Sequence, residues 1–186
     1  MRLDAAEQSD VWKSFRVGRR ARVTGLHRRR EQGCTIFHAA HDGYERFARG
    51  LIHERCIVSR EADWVCVIDF VHGEGRRLIE NIVHFHPDVQ LHRDAAGMRA
   101  SLRGHTCAVH ALSEIHLRVH ETEYYPAFGV RRPRKTLVFH GALVLPLVTG
   151  YLLHFGGAAP RIDVDAAQAR VTIEHEGGTL SLASRL

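Results

Sequence analysis

A chain of 186 residues is long enough to bury a core and reads as one domain over residues 1–186. With 45% hydrophobic and 25% charged residues it is not a disordered chain, and its net charge of +5 makes polyanions the expected partners. Four widely spaced cysteines, Cys34, Cys56, Cys66 and Cys107, form no CxxC pair, which excludes a disulfide framework and a cysteine-based zinc site.

The opening MRLDAAEQSDVWK has no apolar core and is not a signal peptide; the chain as written is expected in the cytoplasm. From Val11 through Lys13, Phe15 and Val17, and again at Val23, Cys34 and Ile36, apolar and polar residues alternate as in half-buried strands. Residues 16–30, RVGRRARVTGLHRRR, carry seven arginines and no acid. They predict either a solvated strand face or a polyanion surface. WVCVIDFV is apolar on both faces and reads as a central strand, with Cys66 a buried thiol. Turns are expected at Gly73-Glu74-Gly75, at Asp94 to Gly97 and at Gly156-Gly157.

Alternation returns in EIHLRVHE, where Ile115, Leu117 and Val119 share one face and His116, Arg118 and His120 the other. TLVFHGALVLPLVTGYLLHF is a second stretch covered on both sides; its longest apolar run is short for a bilayer and is broken by Pro146 and Gly150, so no membrane partner is expected. RIDVD, ARVTIEH and TLSLAS end the chain as strands, with a hairpin turn at Glu176-Gly177-Gly178. No segment has a 3.6-residue period and no internal repeat is present. The fold class is all-β, a sandwich of two antiparallel sheets.

Three constellations carry chemistry. HFH, His84 to His86, puts two imidazoles on one side of a strand, where His92, His116 or His120 could complete a metal site in a cupin-like barrel. No glutamate follows at the cupin spacing, and a polar strand face ending at Pro87 is the simpler reading. HAAHDGY, residues 38–44, followed by HER, offers a base, an acid and a phenol. The competing reading is an Asp42-Gly43 turn, with Gly free to take φ > 0 and Asp to close an Asx-turn, and Tyr44 capping the neighbouring strand. The arginine run lacks interleaved aromatics, which disfavours nucleic acid as a partner. No GxSxG elbow, P-loop or dinucleotide fingerprint occurs.

SDVWKSFRVGRRARV, HDGYERFARGLIHERC, VIDFVHGEGRRLIENIVHFHPDV and EYYPAFGVRRPRKTLVFHGALVLPL, in this order, resemble the C-terminal β-sandwich of the heparinase II/III-like family of polysaccharide lyases over residues 2–153. The resemblance implies a two-part enzyme whose α/α toroid packs against the sandwich. Uronate-bearing acidic polysaccharide (a glycosaminoglycan or alginate) would bind between them and be cleaved by β-elimination. It implies a Tyr and an Asn or His on the toroid for proton transfer and carboxylate neutralisation. In zinc-bearing relatives it implies a site made by a His-x-His segment, an Asp and the His of a His-Asn-Thr stretch.

Arg2-Leu3-Asp4 resembles the segment that follows His-Asn-Thr, so the toroid and those ligands have no counterpart among the 186 residues, and His84-Phe85-His86 is not that His-x-His. No cofactor is therefore expected here, no catalytic role is carried over, and the chain alone is expected to be inactive. The sandwich side of a cleft is expected to be lined by His41, Tyr44, His53 and Arg55. The partner would be an acidic polysaccharide, with a separate toroid chain or a second copy completing the assembly. The alternative is a stand-alone module binding an acidic glycan or a protein. As part of a longer exported enzyme the chain would be periplasmic.

Overall fold

The computed structural model describes residues 1–13, 16–94 and 97–186. Phe15 and the middle of the Asp94–Gly97 turn lie outside them. The strands are β1 (Arg2–Leu3), β2 (Val11–Lys13), β3 (Arg16–Val17), β4 (Val23–Glu31), β5 (Cys34–His41) and β6 (His53–Arg60). They continue with β7 (Trp64–Val71), β8 (Arg76–His84), β9 (Gln90–Asp94), β10 (Gly97–Leu102), β11 (His105–Ala111) and β12 (His116–Ala127). The last are β13 (Val130–Val144), β14 (Leu147–His154), β15 (Arg161–Asp165), β16 (Arg170–His175) and β17 (Gly178–Ala183). Among the described residues there is no helix, and therefore none long and apolar enough to cross a membrane.

The strands form an eight-stranded sheet in the order β4-β5-β6-β7-β14-β11-β10-β9, a four-stranded sheet β1-β8-β13-β12, a three-stranded sheet β15-β16-β17 and the β2-β3 ribbon. Every pairing is antiparallel. The all-β antiparallel sandwich read from the sequence is present, and a third sheet is added to it. Period-two alternation explains why. Cys66, Ile68 and Phe70 of β7, with Val148 and Leu152 of β14, pack on Val171, Ile173, Leu180 and Leu182 of the three-stranded sheet. The intervening Val71 and Leu147 pack on Leu3 and Ile79 of the four-stranded sheet, and Val109 of β11 on Leu137 and Phe139. The central strands are apolar on both sides, so each side of the large sheet requires a cover.

The turn at Glu176-Gly177 joins β16 to β17 as expected, and Gly73-Glu74-Gly75 lies between β7 and β8. All four cysteines are free and buried. The Asp42-Gly43 turn is present, closed by the Glu45 N–H donating to the Asp42 carbonyl at 3.0 Å, within the eleven residues, 42–52, that link β5 to β6. Gly43 does not have a positive φ; a Cβ there would collide with the carbonyl of Gln8 and the methyl of Ala21. The Asp42 carboxylate accepts from the Arg22 backbone N–H at 2.8 Å, tying this loop to the residue before β4.

Candidate functional site

Strand register assembles the cluster on the face of the large sheet that looks toward the four-stranded sheet. His41 of β5 and His53 of β6 are direct cross-strand partners, and Arg55, two residues on and so on the same face, stands opposite Asp69 of β7. Glu54, between them, points to the other face. Asn81 reaches in from β8 of the covering sheet.

These groups form a hydrogen-bonded chain with one direction. The Gly43 backbone N–H can only donate, and it donates to His41 Nδ1 at 3.2 Å. His41 therefore carries its proton on Nε2 and donates to His53 Nδ1 at 2.9 Å. His53 then donates from Nε2 to Asp69 Oδ1 at 2.5 Å. Arg55 closes the chain from the far side, with Nε 2.7 Å from Asp69 Oδ1 and Nη2 3.1 Å from Oδ2. Its Nη2 also donates to Asn81 Oδ1 at 3.1 Å. Both imidazoles are neutral in this scheme, and the electrostatics agree. Burial, then the neighbouring His53, lowers His41 to about 4. Burial lowers His53 as well, against the pull of Asp69. Burial opposes the charge on Asp69, but Arg55 and His53 outweigh it and hold the carboxyl far below its usual range.

Tyr44 is fully buried, its hydroxyl donating to the Met1 carbonyl at 2.7 Å and its ring 5.4 Å from that of His41. Burial raises its pKa. Of the four residues singled out from the sequence, Arg55 is the one that reaches solvent with its charge, at 32% side-chain exposure. Its Nη1 has no partner among the described residues.

The donor set does not fit a zinc ion. Both oxygens of Asp69 are taken by a guanidinium that already supplies the positive charge a metal would bring. His84 and His86 do not form a pair either: His84 Nδ1 contacts the Thr136 hydroxyl at 3.0 Å, while His86 packs on Tyr124.

On the opposite face of the same strands lies a second buried carboxylate. Glu54 accepts from His72 Nε2 at 3.0 Å, the Ser184 hydroxyl at 2.6 Å and the Arg185 N–H at 2.8 Å, with His38 Nε2 at 2.7 Å. Burial raises its pKa, but these partners prevail and hold it at about 2. It clamps the segment after β17 onto β6, a structural role.

Asp69 and Asn81 were not singled out from the sequence. An acid inside WVCVIDFV was the available signal, because a charge in a doubly covered strand needs a buried partner.

The depressed histidines set a pH dependence. A histidine whose folded pKa lies below its ordinary 6.5 contributes stability that is complete above pH 6.5 and lost as pH falls toward about 4. For His41 the full loss is about 3 kcal/mol. Melting curves at pH 7.5 and 4.5 should diverge less in His41→Gln than in the natural protein; equal divergence would contradict the neutral chain.

The family profile described as Heparinase II/III-like, C-terminal, matches residues 1–174. Comparison with curated protein sequences finds no match. Among solved structures the chain is similar to heparan sulfate lyase HepC from Pedobacter heparinus, at 15% identity and a TM-score of 0.63, over 88% of this chain and 28% of that one. It is also similar to a heparinase III at 12% identity and a TM-score of 0.61, over 89% of this chain and 27% of that one. These two likenesses, at low identity, concern the fold, and the chain spans less than a third of the length of either enzyme. By the profile match over most of its length, the chain belongs to the heparinase II/III-like C-terminal family.

Proposed function

We propose that this chain is the β-sandwich wall of a polysaccharide lyase that cleaves uronate-bearing acidic polysaccharide by β-elimination. The observation that carries this reading is Arg55, pinned through Nε and Nη2 by Asp69 and Asn81 while part of its charge faces solvent. A guanidinium fixed in this way is preorganised for a carboxylate or sulfate. Family membership and the net charge of +5 support the same substrate class.

In β-elimination the substrate carboxylate is neutralised, a base removes the C5 proton, and an acid protonates the departing O4. The residues here suit contact with the glycan rather than proton transfer. The Tyr44 hydroxyl is buried and engaged with Met1. Both nitrogens of His41 and of His53 are committed. The proton-transfer groups would come from a toroid, in a separate chain or a further part of the same one.

The 186-residue chain, incubated with heparan sulfate, alginate or hyaluronan, should therefore produce no ultraviolet absorbance from a new C4=C5 double bond. A steady rise that Tyr44→Phe abolishes would overturn the assignment of a non-catalytic wall. The second reading is a free-standing glycan-binding module, favoured by three core clusters that close within the chain. It shares Arg55 as the contact and dispenses with a toroid.

A further inference from the structure

The four-stranded sheet covers only part of its side of the large sheet. Over β7 the residues on that side, Val67, Asp69 and Val71, are buried. Toward β4 the cover ends, and cross-strand pairing orders the open strip in rows. Arg30, Thr35 and Ser59 form the first row, and Arg28, Phe37 and Ile57 the second. Ala39 and Arg55 form the third, and Val23, His41 and His53 the fourth. The six steps from Thr35 to His41 span roughly 20 Å at about 3.4 Å each.

The strip is unusually specific in its chemistry. Phe37 is 41% exposed in the middle of a strand, a large apolar ring that the fold does not use as core. The Arg28 guanidinium hangs over it at 5.6 Å. Among the described residues neither Arg28 nor Arg30 has a carboxylate partner, whereas Arg29, on the opposite face, is paired with Glu31 at 2.9 Å. A cavity beside Arg30 is lined by Gly33, Thr35, Ser59 and Glu61, so hydroxyl groups and one acid mark the far end. At the near end stands Arg55, whose own acid is fully committed.

We propose that this open strip, from Arg30 through Arg28 and Phe37 to Arg55, is an extended subsite for an acidic glycan chain, with Phe37 as the platform on which one sugar ring stacks. The inference rests on the reading of the chain as a lyase sandwich and adds to it a line of subsites beyond Arg55. Charge complementarity selects a polyanion, since three guanidinium groups line one face with a single free carboxylate at its end. A sugar ring offers an apolar C–H face to Phe37 while its rim carries the anionic groups to the arginines. A nucleic acid strand would call for several platforms in succession, and the strip has one.

The probe is a short heparan sulfate oligosaccharide, titrated calorimetrically into the whole chain at several salt concentrations. Phe37→Ala should weaken binding about fivefold without changing the salt dependence. Arg28→Ala with Arg30→Ala should flatten the slope of log affinity against log salt by about two. Arg29→Ala removes the same charge from the other face and should behave nearly as the natural protein. Phe37→Tyr, which keeps the ring, should retain affinity and so separates stacking from any effect on folding. Binding that survives both Phe37→Ala and the double arginine change overturns this inference and leaves the lyase reading standing. No binding by the natural chain overturns both together. Equal or tighter binding of a single-stranded oligodeoxynucleotide would assign the strip to nucleic acid instead.

Discussion

Replacing Asp69 with alanine is expected to destabilise the sandwich by about 3 kcal/mol, toward the lower end for a broken buried ion pair. Asp69 is fully buried between the large sheet and its four-stranded cover, and both of its oxygens are used. Its removal strands the Arg55 guanidinium without a counter-charge and leaves the His53 Nε2–H without an acceptor. Because Arg55 is about a third exposed, its head can turn partly to water, which keeps the loss at that lower end. The same change releases the guanidinium that the proposed glycan contact depends on. Stability and oligosaccharide affinity should therefore fall together. Urea unfolding at neutral pH measures the first; a loss below about 1 kcal/mol would mean that the buried chain is not the pinned array described above. Asp69→Asn, which keeps an acceptor but not the charge, should fall between the two.

A larger effect is expected at Gly150, in the middle of β14. It pairs with Ile68 of β7 and has φ +147°, a conformation side chains rarely adopt. A Cβ there would press into the Val67 carbonyl oxygen, with the Val67 carbon at 3.0 Å and the Ile68 Cα at 3.1 Å. All of these are backbone atoms of the neighbouring central strand, so nothing can swing aside. Gly150→Ala should cost about 4 kcal/mol or more and should sharply reduce soluble yield. Gly141 in β13 is the natural control. There a new Cβ meets only side-chain atoms at 3.5 Å or beyond, at ordinary contact distance. Gly141→Ala should melt within a few degrees of the natural protein, and comparable losses at the two glycines would contradict the packing argument.

Much of the fold is legible in the sequence, for a physical reason. Period-two alternation in the segments that became β5, β16 and β17, and two-sided apolarity in β7 and β14, follow directly from which faces are covered. The third sheet was less legible, because alternation says that a strand has a buried face but not which neighbour buries it. The Asp42-Gly43 turn was legible from the dipeptide, but its glycine serves close approach to Gln8 rather than a positive φ. At the site, His53 and Arg55 were named from the family resemblance. Asp69 and Asn81 required the cross-strand register and the sheet-to-sheet contact, which no local pattern encodes. Arg28 and Arg30 could be seen as basic, but their separation from Arg29 by face depends on the pairing of β4 with β5, whose register shifts between Thr24 and His27.

The most direct test of the account is to map where an acidic glycan sits. The chain would be titrated with a heparan sulfate oligosaccharide while the arginine Nε–H and the aromatic signals are followed by NMR. Saturable shifts at Arg55, Arg28 and Phe37, suppressed by salt, with the buried cluster around Glu54 unmoved, are the expected result. Saturable binding that shifts other surfaces and leaves Arg55 and Phe37 untouched would contradict the account.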